Sequence, residues 1–271
     1  MRKVTFSSIA FVAVIFGGPA LAADIPIKAP AYKAPAAVAA ANWTGCFLGG
    51  NVGGGWSRHS FTDPITTPVI DLQSHTASGV VGGGQIGCDY QSGPWVFGVQ
   101  GMLDAASLRG THIFATGAAQ FNLLLTAPGF PLGVILPGSS EGLTTRIPWL
   151  ATATARLGYA VQPPVLLYVR GGAAWVRDKH TLEVSTTGIV GEANVTRTGW
   201  TVGAGVDYLL ARNWSMFAEY DYLDFGTERL TFTSVPPFPP VTAAADVTQK
   251  IHLVLIGFNY RFNWSGVAAA K

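Results

Sequence analysis

Between Trp43 and Phe262 the chain repeats one pattern eight times. Apolar residues alternate with small or polar ones, and the stretches are joined by connections that switch strictly between long and short. Period-two alternation sends successive side chains to opposite faces of a strand. About 9–11 such residues, tilted, cross a bilayer. Tight turns on one side and long loops on the other belong to an up-and-down barrel in a membrane. The pattern predicts an all-β fold, an eight-stranded antiparallel up-and-down transmembrane β-barrel.

The expected strands are 43–57, 77–91, 95–108, 147–161, 165–179, 196–210, 214–228 and 248–262. Tight connections fall at 92–94, 162–164 and 211–213, long ones at 58–76, 109–146, 180–195 and 229–247. The last strand shows the split of faces. Val254, Ile256, Phe258, Tyr260 and Phe262 share one side, and Leu255, Gly257, Asn259 and Arg261 the other. Aromatics bracket the apolar sides, as interfacial girdles do. The girdle residues are Trp56, Trp95, Trp149, Tyr159, Trp175, Trp200, Tyr208, Trp214, Tyr222 and Phe262. The competing reading, core residues of a soluble sandwich, does not account for their restriction to the ends of the stretches.

Composition narrows the class further. Charged residues are only 12% of the chain and the mean hydropathy is +0.33. Yet past the first twenty residues no run of about 18 apolar residues can serve as a spanning helix. A formal charge of +2 without a basic stripe excludes a nucleic-acid partner. Residues 1–22 read as a secretory signal. Arg2 and Lys3 precede an apolar core, and Ala20-Leu21-Ala22 is a small-residue cleavage site. Residues 23–42, rich in Pro and Ala, form an extended periplasmic lead-in. The barrel occupies 43–262, and 263–271 is a C-terminal tail.

Eight strands enclose an interior that side chains nearly fill. The inward candidates are Gln85, Gln100, Arg156, Arg170, Asp207, Glu219, Asp221, Asn259 and Arg261. Gln85, Gln100, Arg156, Arg170 and Glu219 each lie five or six residues from a short turn, and are expected to share one layer. Buried charges need partners, so Arg156 and Arg170 are expected to pair with Glu219 or Asp221. The cluster reads either as a structural plug or as a selectivity filter. Barrel size favours the plug and a narrow lumen.

Cys46 and Cys88 fall on the outward face near the periplasmic rim, nearly opposite if the first two strands pair about Thr67. They are either a disulfide, which that oxidising compartment permits, or two small apolar thiols. His59, His75, His112 and His180 lie in or beside long loops, and His252 is outward near the outer rim. No pair has metal-ligand spacing, so no metal and no cofactor is expected. No nucleophile accompanies His252, which argues against an enzyme. The apolar loop 109–146, broken by Pro128, Pro131 and Pro137, is either a protruding hairpin or a contact surface.

Several pieces carry a resemblance. They are Trp43-Thr44-Gly45 running into Leu48-Gly49-Gly50-Asn51, Gly84-Gln85-Ile86-Gly87, Ala155-Arg156-Leu157-Gly158-Tyr159, Glu219-Tyr220-Asp221-Tyr222-Leu223-Asp224-Phe225-Gly226, and the closing Gly257-Phe258-Asn259-Tyr260-Arg261-Phe262. In this order they resemble the outer-membrane immunogenic, or small porin-like, proteins of alphaproteobacteria, related to the OmpA-type barrel. The resemblance implies a cell-surface protein of the Gram-negative outer membrane, structural and interfacial in role, with a porin-like channel as the alternative. Its implied partners are outer-membrane lipid and lipopolysaccharide, with surface proteins or host factors beyond them. Two departures stand out. The tail 263–271 follows the aromatic on which such barrels usually end, and no periplasmic domain for peptidoglycan anchoring is expected.

Overall fold

The computed structural model describes residues 42–62, 71–114, 141–184, 188–234 and 242–262. Eight strands run in chain order: β1 Gly45–Thr62, β2 Asp71–Ser92, β3 Trp95–Phe114, β4 Glu141–Gln162, β5 Val165–Val184, β6 Gly188–Ala211, β7 Trp214–Ser234 and β8 Thr242–Phe262. Each pairs antiparallel with its neighbours, and β1 pairs with β8 from Cys46↔Phe262 to Thr62↔Asp246, closing the sheet into a barrel. Closure leaves no unpaired strand edge, the condition for crossing hydrocarbon with strands.

The tight turns stand where the spacing predicts them, at Gly93-Pro94, Pro163-Pro164 and Arg212-Asn213. Gly93 takes a positive φ of 61°, which suits glycine at a two-residue hairpin turn. The other ends differ from expectation. The strands continue past the expected limits, so β3 and β4 remain paired from Arg109↔Arg146 out to Phe114↔Glu141. Both flanks of the apolar loop are therefore a hairpin rising from the barrel, while 115–140 lie outside the described residues. The expected secretory signal 1–22, nearly all of the expected lead-in 23–42 and the tail 263–271 also lie outside them.

Most irregularities lie in the outer half of the sheet, among them those between Ser60 and Thr62, Ala105 and Leu108, Arg146 and Trp149, and Asp224 and Thr227. Pro148 supplies the local cause in β4, because proline has no N–H to donate to the ladder. The bulge changes parity there. Leu143, Thr145 and Ile147 point inward on one side of it, and Leu150, Thr152, Thr154 and Arg156 on the other.

The outward face is a belt of exposed apolar side chains, among them Leu48, Ile86, Val99, Leu103, Val202 and Ile256. Two aromatic rings bound it. On the short-turn side Trp95 packs on Tyr159 and Trp214 on Tyr260, with Tyr208 and Phe262 beside them. On the long-loop side stand Trp56, Trp149, Trp175, Trp200 and Tyr222, with Trp56 stacked on His252 at 5.3 Å and Trp200 5.5 Å from Tyr222. The outer-ring tryptophans mark the limit of the apolar belt rather than the strand ends, since every strand carrying them continues outward. Among the described residues no helix is long and apolar enough to cross a membrane.

Candidate functional site: the barrel interior

The inward side chains are buried in alternating apolar and polar layers. At the short-turn end Trp43, Val96 and Leu166 form a small apolar floor. Trp43 is fully buried just before β1, and its ring lies 4.6 Å from the Arg261 guanidinium.

Above that floor sit two cations and two anions. Arg261 reaches Asp89 and Asp207, each at 2.9 Å. Arg156 lies 3.1 Å from Asp207 and 3.8 Å from Asp89, with its guanidinium 3.7 Å over the Tyr168 ring. Four charges from β2, β4, β6 and β8 thus neutralise one another across the lumen. Removal from water is costly for each ion, and the cost is offset only by such multiple pairing.

The next layer centres on Arg170. Its Nε donates to Asp221 at 2.8 Å, its Nη2 lies 3.1 Å from Glu219, and Tyr168 donates its hydroxyl to Glu219 at 2.8 Å. Beside it an amide network crosses the lumen. Asn51 donates to Gln85 at 2.9 Å and to Asp104 at 2.8 Å, and Gln85 donates to Asn259 at 2.8 Å. Gln100 is buried on the same wall.

Glycines make room for these groups. A Cβ on Gly203 would strike the Asp221 carboxylate and the Tyr220 carbonyl, and one on Gly98 would strike Asp89. Asp221 and Asp89 each lie across a neighbouring strand that has no side chain of its own at that point.

Two expectations are corrected by this arrangement. Gln85, Gln100, Arg156, Arg170 and Glu219 are not joined in one network, for Arg170 meets Glu219 while Gln85 meets Asn51 and Asn259 and Arg156 meets Asp207 and Asp89. Arg170 does meet Glu219 and Asp221, but Arg156 turns the other way, to Asp207 and Asp89. Asp89 was legible in the sequence, since it shares the parity of Gln85 on β2. Arg197, Asp178 and Gln249 lie at the outer ends of the expected strands 196–210, 165–179 and 248–262, and were not among the inward candidates.

Outward of the ions the lumen becomes apolar, which the expected polar centre did not include. Val81, Met102, Leu108, Ile147, Leu150, Val176, Leu223, Phe225, Ile251, Leu253 and Leu255 pack there as a continuous core. Beyond it a second polar layer lies outward of Trp56 and Trp175, past the outer aromatic ring. Gln249 bridges Asp178, to which it donates at 2.9 Å, and Arg197, from which it accepts at 3.2 Å; Arg197 also reaches Glu228 at 3.1 Å.

Three histidines share that outer layer. They sit inside strands and not in loops, because β1, β2 and β5 extend beyond the expected ends. The rings of His59 and His75 are 5.3 Å apart and those of His59 and His180 are 5.8 Å apart, with the Thr145 hydroxyl between His75 and His180 at 3.0 and 2.9 Å. Burial, reinforced by His75 and Arg197, pushes the His180 pKa down to about 3, and burial holds His59 well below the usual histidine value. Burial raises Asp178 to about 7. No group among the described residues is arranged to hold a metal ion. The side chain of His112 lies outside the described residues. His252 faces outward, its Nδ1 2.6 Å from the Tyr220 hydroxyl.

On the outer wall Cys46 and Cys88 are directly opposite in the β1–β2 register, with their sulfurs 2.08 Å apart in a disulfide.

Comparison with known proteins places this architecture. A family model described as outer membrane protein beta-barrel domain matches residues 30–262. The 31 kDa outer-membrane immunogenic protein of Brucella melitensis biotype 1 is 29% identical over 270 residues, 97% of this chain and 100% of that protein. The protein of the same name from Brucella suis biovar 1 matches equally, at 29% over 270 residues. Among solved structures, OprG from Pseudomonas aeruginosa covers 82% of this chain and 98% of its own at 12% identity, with a TM-score of 0.47. The Ail attachment invasion locus protein of Yersinia pestis covers 81% and 99% at 15% identity, with a TM-score of 0.36. With its eight strands closed in sequence order and the family match running from residue 30 to the end of β8, the chain belongs to the outer membrane protein beta-barrel domain family, and its place is the cell outer membrane.

Proposed function

We propose that this protein is a non-enzymatic barrel whose lumen is closed and whose work is structural and interfacial. The observation that carries the reading is the stack of layers from Trp43 to His180, in which paired ions and a buried apolar core follow one another along the lumen. A pore for small solutes needs a continuous polar path. Here any such path would have to pass Leu150, Leu223, Ile251 and Leu253, all fully or almost fully buried.

On this reading residues 1–22 direct export and are removed, 23–42 lie in the periplasm, and the aromatic rings hold the barrel at the two interfaces. Outer-membrane lipid, lipopolysaccharide and surface proteins are the partners, met by the outward face and the long loops. No catalytic group, metal or cofactor enters the work.

Planar-bilayer recording of the purified full-length protein tests it. The unchanged protein is expected to give no steady unitary conductance, and reproducible steps would overturn the closed reading in favour of a channel. Replacing Arg170 and Glu219 together by alanine is expected to introduce leak currents, because it removes both arms of the central pair while leaving the outward face intact.

A further inference from the structure

We propose that the outward face of β3, β4 and β5 is a binding site for a phosphorylated lipid of the outer leaflet, with its headgroup on Arg109, Arg146, Arg177 and Lys179 and its acyl chains in the hollow beneath. This deepens the interfacial role above by naming a partner and a place, and it does not depend on whether the lumen conducts.

The register brings the cations together. Arg109 pairs with Arg146, Arg146 with Lys179, and Arg177 with Trp149. All four are exposed on the lipid-facing side of the wall. Directly opposite side chains on neighbouring strands stand about 4.5–5.5 Å apart at Cβ, and like charges there repel. Among the described residues none of the four is bonded to an acid. The acids that share the face, Glu183 and Glu192, lie further out, opposite Gly142 and Thr181. The opposite side of the barrel is built differently, for there Lys250 lies beside Arg58 but has Asp224 at 3.9 Å. A row of four unneutralised cations is a site for a multiply charged anion.

Position decides which anion. The row stands immediately outward of Trp149 and Trp175, hence at headgroup level and facing sideways into the bilayer. Below it the same strands carry small residues: Gly101 pairs with Ala153 and Ala153 with Ala173, while Ala155 pairs with Gly171. Of these, Gly101, Ala153 and Ala155 line a shallow apolar hollow together with Ile86, Cys88 and Val99 of β2 and β3, midway between the two aromatic rings, at the depth reached by the chain ends of an outer-leaflet lipid. Phosphate above and hydrocarbon below fit one amphiphile. A second copy of the chain docked two-fold on this face would set cations against cations.

Native mass spectrometry of the full-length protein in detergent tests the site, with bis-phosphorylated lipid A as the probe and its dephosphorylated form as control. Folding of every variant is checked by heat-modifiable gel mobility. The unchanged protein is expected to retain the phosphorylated form and to release the dephosphorylated one. Each surface cation contributes about five-fold to anionic lipid binding, so R146Q/K179Q is expected to weaken retention about 25-fold. The double variant R58Q/K250Q, with the same change in charge, is expected to alter it less than about two-fold. Ala153→Trp, which fills the hollow without touching charge, is expected to weaken it as well. Equal losses in the two double variants, equal retention of the dephosphorylated lipid, displacement by inorganic phosphate, or a protein dimer in place of the lipid adduct would each overturn the proposal.

Discussion

Arg170 shows what one buried side chain contributes here. It joins β5 to two carboxylates of β7, Glu219 and Asp221, in a lumen where neither can turn to water. Breaking a buried pair from one side leaves uncompensated charge, so Arg170→Met should destabilise the barrel by about 3–5 kcal/mol, read as a lower urea midpoint in detergent. Gly203→Ala should cost about 1–3 kcal/mol by overpacking, since the new methyl meets Asp221 directly. The outer layer gives a pH effect whose sign depends on two opposed groups. His180 and His59 have folded pKa values below the unfolded one, so their contribution is present above about pH 6.5 and is lost as pH falls. Asp178 is raised to about 7, so its contribution is present at acid pH and is lost as pH rises through that value. Asp178→Asn removes the second effect and keeps the first. Its urea midpoint should therefore fall more steeply than that of the unchanged protein between about pH 7 and about pH 4.5. Which residues face inward was readable from parity alone. Which ion meets which was not, because Arg156 and Arg170 share parity and turn distance and differ only in what the tilted neighbouring strands bring opposite them.

Among the elements, the β1–β2 hairpin is the one with a covalent tie. Cys46 and Cys88 are 42 residues apart in sequence, and a closed loop of that size stabilises by about 2–4 kcal/mol through the unfolded state. Reduction, or Cys88→Ser, should lower the urea midpoint accordingly, while R170M should add to the loss because the two sites share no partner. The belt gives a second expectation. Ala204 faces outward midway between Trp200 and Tyr208 on β6, and an arginine at a bilayer midplane costs about 2–4 kcal/mol. Ala204→Arg should lose that much in folding from urea into lipid vesicles, and far less in a protein not embedded in hydrocarbon. The ends of the strands at the tight turns follow directly from the sequence, because Gly93-Pro94 and Pro163-Pro164 punctuate the alternation. The outer ends do not. Past Trp56 or Trp175 the outward face meets no hydrocarbon, and the contrast between faces fades although the backbone pairing continues.

At the scale of the whole molecule, closure makes the barrel a single cooperative object. Every strand has two partners, so the unheated protein should migrate ahead of the boiled one on a denaturing gel, with the shift abolished in variants that fail to close. Sequence alone determined the strand count, the order of turns and loops, the two faces and the membrane, since period-two alternation and aromatic spacing are local consequences of a strand lying between lipid and a packed interior. Only the tertiary structure decided how the interior is filled. The histidines of β1, β2 and β5, the apolar core above the ions and the cation row of β3–β5 are each assembled from strands distant in the chain. Their neighbours are set by the tilt and stagger of a closed sheet, and no pattern along one strand records the register of the next.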